Sequence, residues 1–396
     1  MLTAPPFTAA EYFAGIGLMR MGLDQAGWRT VFANDIDEKK KEMYCHQFGR
    51  SPEFALGDVH ELEARDIPAT VLATASFPCN DLSLAGARKG LAGTHSSAFW
   101  GFIRILEQMD SRRPPLILLE NVTGFLTSND GADFEEALLA LNQLGYSVDA
   151  FIIDAVRFVP QSRQRLFVVG QLEKSGRLTD AGLLESDIRP TALADFIYWH
   201  PEIRWNLFQF PTLPQGEHNL AEIIEDLSPN SAAWWSEERK NYLLNQMSPK
   251  HRAQADAMIR ASRRTYGTVF RRVRAGRSMA ELRTDGIAGC LRTPRGGSGR
   301  QILFVAGNGR FAVRLLTARE CARLMGADDF RLDVPLNQAL FGFGDAVCVP
   351  VIRWIAENCL NPLAAALHDE TQETYPKPRS VRYGGARSGR SRPTRT

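Results

Sequence analysis

Apolar and polar residues follow one another along the first part of the chain in blocks that predict strands separated by helices. Short apolar runs, typical of buried strands, occupy residues 30–33, 71–77, 116–119, 148–153 and 166–169. Apolar residues at helical spacing, which give a helix one apolar face, are Phe99, Phe102, Ile103 and Leu106 in one connection and Phe134, Leu138 and Leu141 in the next. This alternation predicts an α/β fold with a doubly wound, mostly parallel sheet.

The pattern changes after about residue 170. Proline, tryptophan and arginine become frequent and the periodicity weakens, which predicts a smaller, mixed region. Helical signals return where Thr317 and Glu320 have the spacing of a capping box. A final helix is predicted over residues 349–360, since a proline is tolerated in a first turn.

These changes divide the chain into four predicted segments. Residues 1–170 form the main domain, residues 171–300 interrupt it, and residues 301–367 return to it. Residues 368–396 are polar, with basic residues, glycine, serine and proline towards the end, so this tail is expected to be disordered. A chain of 396 residues is long enough for one large and one smaller domain.

Composition and cysteine usage narrow the class of protein. A hydrophobic content of 44% and a charged content of 23% are ordinary for a soluble globular protein. No apolar run approaches the roughly 18–20 residues of a membrane span, and residues 1–10 lack the features of a secretory signal. The six cysteines include no Cys-x-x-Cys pair, which argues against a zinc site and against a disulfide framework. We therefore expect a cytoplasmic protein without a metal.

Four short motifs near the ends of predicted strands carry candidate chemistry. They are Phe13-Ala14-Gly15-Ile16-Gly17, Phe77-Pro78-Cys79-Asn80, Leu118-Leu119-Glu120-Asn121-Val122 and Gln161-Ser162-Arg163-Gln164-Arg165. The carboxyl ends of parallel strands form the crevice in which open α/β sheets bind ligands. In this order, the motifs resemble those of the prokaryotic DNA (cytosine-5) methyltransferase family, over about residues 8–360. The resemblance implies a Rossmann-like methyltransferase sheet with a smaller target-recognition domain.

The glycine motif predicts a cofactor loop. Gly15 and Gly17 allow a tight turn and close approach to a ligand, and Asp35 at the next strand end can bind a ribose diol. The third glycine of the dinucleotide fingerprint is missing, which disfavours NAD without excluding it, and a turn without any ligand is a further alternative. The resemblance implies S-adenosylmethionine, with contacts from Phe13, Gly15, Gly17, Asp35, Ile36, Asp58, Pro78 and Asp345.

Three positions depart from the family pattern. Asn80 stands in place of glutamine and is expected to alter a DNA contact, because its amide is one methylene shorter. Ile36 stands where tryptophan is frequent, so we expect weaker stacking on adenine. Asp345 stands in place of asparagine; an acid there would repel the cofactor's carboxylate but attract its ammonium group, which leaves direct contact open.

Catalytic chemistry is predicted for Cys79, Glu120, Arg163 and Arg165. Because a thiol is a strong nucleophile, the resemblance implies that Cys79 attacks carbon 6 of cytosine. Glu120 ends an apolar run, which predicts a buried carboxyl able to protonate or hydrogen-bond ring nitrogen 3; a purely structural glutamate is the alternative. The two arginines alternate and would face one side of a strand. The resemblance assigns Arg165 to the base and Arg163 to the catalytic pocket, whereas a solvated pair is the alternative.

Recognition of DNA is predicted for residues 171–300, and within them the arginine-rich stretch of residues 263–300 is the candidate contact surface. Arginine suits both phosphate contacts and bidentate guanine contacts, although a basic solvated surface is the alternative. The candidate DNA-binding residues are Asn80, Ser83, Arg292, Arg295 and Arg300.

The resulting hypothesis is a DNA (cytosine-5-)-methyltransferase that modifies a flipped-out cytosine in a specific duplex sequence through a covalent Cys79 intermediate. We expect a monomer that acts on double-stranded DNA, as the modification enzyme of a restriction–modification system with a separate endonuclease. A transfer-RNA cytosine-5 methyltransferase and a catalytically silent DNA-binding regulator of the same fold are the alternatives. The complete set of Cys79, Glu120 and Arg165 argues against the regulator.

Overall fold

A computed structural model of the chain describes residues 7–78, 97–172, 185–274, 276–293 and 299–373. Within these ranges the strands form two sheets, one of seven strands and one of four.

The larger sheet is doubly wound and mostly parallel, which confirms the predicted fold class. Its strands are β1 (Phe7–Tyr12), β2 (Trp28–Asp35), β3 (Phe54–Leu56), β4 (Leu72–Ala75), β5 (Leu116–Val122), β6 (Tyr146–Asp154) and β7 (Gln164–Leu172). They lie in the order β3-β2-β1-β4-β5-β7-β6, and only β7 is antiparallel to its neighbours. The strand order reverses between β1 and β4, which is where open sheets of this kind bind ligands.

Helices cover both faces of this sheet. Those in the first part of the chain are α1 (Leu18–Gln25), α2 (Glu38–Phe48), α3 (Ser97–Met109), α4 (Ala132–Gln143) and α5 (Thr191–Trp199). Phe102, Leu138 and Leu193 place α3, α4 and α5 in one apolar core, whereas Leu23 of α1 belongs to a second core on the other face. The two helical patterns read from the sequence therefore correspond to α3 and α4.

The smaller sheet is antiparallel and has its own core. Its strands are β8 (Thr265–Arg274), β9 (Arg277–Arg283), β10 (Ile302–Gly307) and β11 (Arg310–Leu315), in the order β11-β10-β8-β9. Leu244 of α6 (Glu237–Asn245) and Met258 of α7 (Pro249–Arg260) pack into this core with Phe304. Because β10 pairs with β8, the boundary predicted at residue 300 falls inside this sheet. Residues 302–315 thus belong to it and do not return directly to the main domain.

The remaining helices bring the chain back to the larger sheet. They are α8 (Ala318–Leu324), α9 (Leu336–Asp345), α10 (Val349–Ile355) and α11 (Asn361–Glu373). The capping box predicted for Thr317 and Glu320 is confirmed at the start of α8. Gly22 of α1 contacts α10 so closely that an added Cβ would lie 2.6 Å from the Cβ of Ile352. The C-terminal helices are therefore held against the main domain by close packing of the Gly22 backbone against the Ile352 side chain.

Two features of this C-terminal part differ from expectation. The helical stretch Leu336–Leu367 is long and apolar enough to cross a membrane, but its apolar part is mostly buried inside the protein, as in the core helix of a globular fold. The last helix continues to Glu373, so residues 368–373 are helical where a disordered tail was predicted. The rest of that predicted tail lies outside the described residues.

Candidate active site

The loop after β1 is held in a tight turn by a buried carboxylate. Phe13, Gly15 and Gly17 have positive φ angles of 58°, 58° and 85°, a region that glycine adopts readily. Asp35, at the end of β2, accepts hydrogen bonds from the N–H groups of Gly15 (2.8 Å) and Asp37 (2.9 Å). Since a carboxylate oxygen has two lone pairs, Asp35 fixes the loop and keeps acceptor capacity for a ligand.

Side chains suited to a nucleoside surround Asp35. Ile36 is 67% exposed, which is unusual for a large apolar residue. Asp58, just after β3, accepts a hydrogen bond from the N–H of His60 at 2.9 Å. The Asn34 side chain donates to two backbone carbonyl oxygens in and just after β3, each at 3.0 Å. The ends of β2 and β3 are therefore tied together at the edge where the sequence predicted the cofactor.

Asp345, which stands in place of the family's asparagine, forms an ion pair with Lys40. The Lys40 Nζ lies 3.0 Å from Oδ2 of Asp345. Burial alone would lower the pKa of Lys40, but the charges of Asp345 and Asp35 outweigh burial and raise that pKa. Lys40 is thus held as a cation and neutralises Asp345, which reduces the repulsion expected towards an anionic ligand group.

Glu11, which lies outside the predicted motifs, is a buried carboxyl within β1. It is 1% exposed, and neither carboxylate oxygen has a hydrogen-bond partner among the described residues. Burial raises the pKa of Glu11 to about 8, against the opposing charge of Arg20. Thr74, opposite Glu11 on β4, likewise has a buried hydroxyl without a partner among these residues. The signal that could have identified Glu11 is an acid inside the apolar run that precedes the glycine loop.

Asn121 links the ends of two neighbouring parallel strands. Its side-chain amide donates to the carbonyl oxygen of Phe77 at 3.4 Å. Residues 76–78, which lead to Cys79, are therefore fixed beside the strand that carries Glu120. The predicted site residues that lie outside the described residues are Cys79, Asn80, Ser83 and Arg295.

Glu120 and Arg165 form an ion pair at the same edge of the sheet. The Arg165 Nε lies 3.0 Å from Oε1 of Glu120, and the two side chains are only 16% and 7% exposed, respectively. Because β5 and β7 are antiparallel neighbours with Val122 opposite Arg165, both side chains project from one face. The structure thus brings these two predicted catalytic residues together and keeps the pair largely shielded from solvent.

Arg163, also predicted to be catalytic, bonds to the protein backbone instead. The residue is 2% exposed, and its guanidinium donates to the carbonyl oxygens of Leu291 (2.9 Å), Gly344 (3.2 Å) and Ala346. Burial, followed by the charge of Arg165, lowers its pKa. Arg163 therefore joins the start of β7 to two distant segments, and we interpret it as a positioning residue.

Gln161 has the same joining function. Its side-chain amide donates to the carbonyl oxygen of Leu324 at 2.7 Å, and its Oε1 accepts from the N–H of Leu291 at 2.9 Å. This glutamine is fully buried. The motif of residues 161–165 is thus the point where the main sheet, the end of the recognition region and the C-terminal helices meet.

A second thiol lies beside these arginines, and no sequence motif pointed to it. The Arg163 Nη1 donates to Sγ of Cys290 at 3.3 Å. Burial alone would raise the pKa of Cys290, but the charges of Arg163 and Arg165 outweigh burial and lower that pKa. Cys290 therefore adds a polarisable sulfur to the surroundings of the Glu120–Arg165 pair.

Two of the predicted DNA-binding arginines are described. Arg292 is exposed, and the guanidinium of Arg300 donates to the side-chain oxygen of Asn337 on α9. Gly344 packs against the same loop so closely that an added Cβ would lie 2.5 Å from the backbone nitrogen of Thr293. The loop that carries Arg292 is therefore seated directly on α9.

A further basic surface lies at the turn between β8 and β9. Arg272, Arg274 and Arg277 are exposed there. Glu281 pairs with Arg274 at 2.7 Å, and its side chain is only 15% exposed. Within the described residues this hairpin therefore presents mainly positive charge to solvent.

The fold and this arrangement of strand ends define a methyltransferase-type α/β protein. The solved structure of the Dnmt2 methyltransferase from S. pombe is similar with a TM-score of 0.61 at 20% identity, covering 90% of this chain and 99% of that chain. The methyltransferase EhMeth from Entamoeba histolytica gives a TM-score of 0.62 at 15% identity, covering 91% and 99%. At such identities the likeness concerns the fold.

Comparison at the sequence level is more specific. The family model of the C-5 cytosine-specific DNA methylases matches residues 7–361, so the chain belongs to this family and is a DNA (cytosine-5-)-methyltransferase. The Type II methyltransferase M.HaeII of Haemophilus aegyptius is 29% identical over 365 residues, which cover 91% of this chain and 95% of that protein. M.HhaI of Haemophilus parahaemolyticus is 26% identical over 352 residues, covering 88% and 92%. The family predicted from the four motifs is confirmed.

Proposed function

We propose that the enzyme transfers the methyl group of S-adenosylmethionine to carbon 5 of a cytosine flipped out of duplex DNA, through a covalent bond between Cys79 and carbon 6. The observation that carries this proposal is the shielded ion pair of Glu120 and Arg165, 3.0 Å apart, next to the strand that leads to Pro78 and Cys79. Adjacent strand ends would then supply a nucleophile, an acid and a cation to one pyrimidine ring.

The residues around the glycine loop fit S-adenosylmethionine, whose sulfonium supplies the methyl group. Helix α1 begins after Gly17 without a side-chain cap, so its first N–H groups suit the cofactor's carboxylate. The remaining acceptor capacity of Asp35 suits the ribose hydroxyls. The exposed side chain of Ile36 offers an apolar surface for adenine, and Asp58 would accept a hydrogen bond from the adenine amino group.

The methionine end of the cofactor would lie beside the ion pair of Lys40 and Asp345. Lys40 offsets the charge of Asp345, so an acid at this position is compatible with a bound carboxylate. Phe13, in the glycine loop, and Pro78, three residues after β4, are the further contacts that we propose. They approach from the two sides of the point where the strand order reverses.

The chemistry follows from the roles that these groups can take. The thiolate of Cys79 adds to carbon 6 and makes carbon 5 nucleophilic. Glu120, after it has taken up a proton, donates that proton or a strong hydrogen bond to ring nitrogen 3, where negative charge would otherwise develop. Arg165 donates to the ring carbonyl oxygen and stabilises the same charge. After carbon 5 has accepted the methyl group, its proton passes to water or a nearby base, and Cys79 leaves.

Access to carbon 6 requires that the target cytosine leave the base stack. We propose that the smaller sheet holds the duplex during this step. The exposed arginines of the β8–β9 turn and Arg292 would neutralise phosphates. The smaller sheet is inserted between two parts of the main domain. We propose that its phosphate contacts lie on the side of the protein where the strands of the larger sheet end.

The relatives M.HaeII and M.HhaI are both named Type II methyltransferases. We therefore propose that the enzyme protects DNA as the modification partner of a restriction endonuclease. That endonuclease and the monomeric state stay predictions.

The test is methyl transfer by the purified full-length protein to duplex DNA and, in parallel, to transfer RNA, with a labelled methyl donor. We expect label in DNA only. Bisulfite sequencing should show that the methyl group is on one cytosine of a defined recognition sequence. Transfer to transfer RNA in place of DNA would support the alternative substrate. DNA binding without transfer to either would support a silent regulator and contradict the proposal.

A further inference from the structure

A cluster of one histidine and two glutamates lies between α4 and the segment after α5. Glu135 is in the first turn of α4, His200 follows α5, and Glu202 is in the next turn of the chain. One ligand atom from each of the three side chains lies within 4.8 Å of the other two. The three residues are not used in the proposed reaction.

The orientation of His200 favours a metal ligand. Its Nδ1 lies 2.7 Å from the carbonyl oxygen of Phe196. Because a carbonyl can only accept, Nδ1 carries the hydrogen, which leaves Nε2 as the ring nitrogen that can bind a metal. A backbone carbonyl bound to one ring nitrogen is the arrangement that usually orients a histidine towards a metal. The Nε2 faces Oε2 of Glu135 at 3.8 Å.

The core of the protein holds these groups in place. The imidazole of His200 stacks on the ring of Phe196 with a centroid distance of 3.9 Å and an angle of 18°. The ring of Phe196 in turn contacts the ring of Phe134, the buried neighbour of Glu135, with a centroid distance of 4.9 Å. The carbonyl oxygen of His200 accepts from the indole N–H of Trp205 at 2.9 Å. The turn that carries Glu202 is therefore anchored on both sides.

We propose that Glu135, His200 and Glu202 bind a divalent transition-metal ion, with Zn²⁺ as the natural candidate. Imidazole nitrogen and carboxylate oxygen both bind zinc, so these three side chains can occupy three positions of a tetrahedron that water completes. Bond lengths of about 2.0–2.2 Å require the side chains to close in by roughly 1 Å, which the exposed Glu202 can do by changing rotamer. Mg²⁺ is disfavoured, because it prefers octahedral oxygen ligands. The ion would clamp α4 to the segment after α5.

The experiment is zinc binding by the full-length protein in competition with a chromophoric chelator. We expect wild type to bind one more equivalent of Zn²⁺ than His200→Asn, and Glu135→Gln to bind the ion at least tenfold more weakly. His218→Asn is the matched control, since His218 is also half-exposed and faces a glutamate, Glu222, at 3.9 Å. It should bind zinc as wild type does, and Mg²⁺ should not displace the ion.

A local signal separates this site from zinc held by cysteine thiols. Trp199 precedes His200 and is 71% exposed, and Trp205 donates to the carbonyl oxygen of His200. Co²⁺ at the site should therefore quench tryptophan fluorescence, and Trp199→Phe should reduce the quenching. Glu135→Gln keeps the size of the side chain and provides the test if His200→Asn does not fold. Equal zinc stoichiometry in wild type and both site variants, or quenching unchanged by them, would overturn the proposal. Neither readout depends on methyl transfer.

Discussion

Nε of Arg165 lies 3.0 Å from Oε1 of Glu120, across two antiparallel strands and shielded from solvent. This pair places an acid and a cation at the edge of the sheet where the chain continues through Pro78 to Cys79. The guanidinium holds the carboxylate in one orientation, and a flipped pyrimidine would meet both groups together.

Replacement of Glu120 tests its proposed role as acid. Glu120→Gln keeps the size of the side chain but removes the proton that the carboxyl would donate. We expect kcat to fall by roughly 10²–10⁴-fold, the usual contribution of a general acid, with little change in DNA affinity. Steady-state methyl transfer checks this, with the exposed Glu107→Gln as control. A kcat within tenfold of wild type would show that Glu120 has only a structural role.

Arg163 should affect stability more than chemistry. Arg163→Met leaves the buried carbonyl oxygens of Leu291, Gly344 and Ala346 without this donor. We expect a loss of roughly 2–5 kcal/mol in the free energy of unfolding, as when a buried charged donor is removed. Urea unfolding checks this, with the exposed Arg252→Met as control. If Arg163→Met were as stable as wild type but inactive, the positioning role would be wrong.

Glu11 should make the protein less stable as the pH rises. Its pKa of about 8 in the folded state exceeds the ordinary value of 4.5, so the folded state binds more protons between these pH values. The protonated Glu11 therefore contributes to the free energy of unfolding in full below about pH 4.5. This contribution is lost as the pH rises through 8, by up to about 1.4 kcal/mol per pH unit. Glu11→Gln should abolish this loss in urea unfolding between about pH 5.5 and 8.5. A wild-type slope retained in the variant would contradict the assignment.

The β8–β9 turn should contribute to DNA affinity through phosphate contacts. Combined replacement of Arg272, Arg274 and Arg277 by alanine should weaken binding, and the slope of log affinity against log salt should become shallower by about 2–3 if each contacts a phosphate. Arg252→Ala on α7 is the control. Fluorescence anisotropy at several salt concentrations measures both quantities. An unchanged slope in the triple variant would show that these three arginines do not contact DNA phosphates.

Much of the main domain could be predicted because its strands are buried on both faces and therefore read as continuous apolar runs. Residues 71–77 contain β4 and residues 116–119 lie within β5, and Phe77 after β4 contacts Asn121 near the end of β5. The sequence predicted that Glu120 and Arg165 act at one site, but their ion pair depends on the antiparallel pairing of β5 with β7, which no local pattern showed.

The smaller sheet and the role of Arg163 could not be predicted in this way. Strand β8 changes from buried residues to exposed arginines along its length, and β10 reaches it only after an intervening loop. Arg163 and Arg165 have the same local pattern in the sequence. Their different partners arise from residues 290–291 and 344–346, which approach β7 only in the folded chain.

The most direct test of the proposed mechanism is covalent trapping on DNA that carries 5-fluorocytosine at the target position. Fluorine at carbon 5 cannot leave as a proton does, so the enzyme should stay bound through sulfur. With S-adenosylmethionine present, we expect a denaturation-resistant adduct of the wild-type protein and none with Cys79→Ser. An adduct that persists in Cys79→Ser, or one mapped to another residue such as Cys290, would contradict the account.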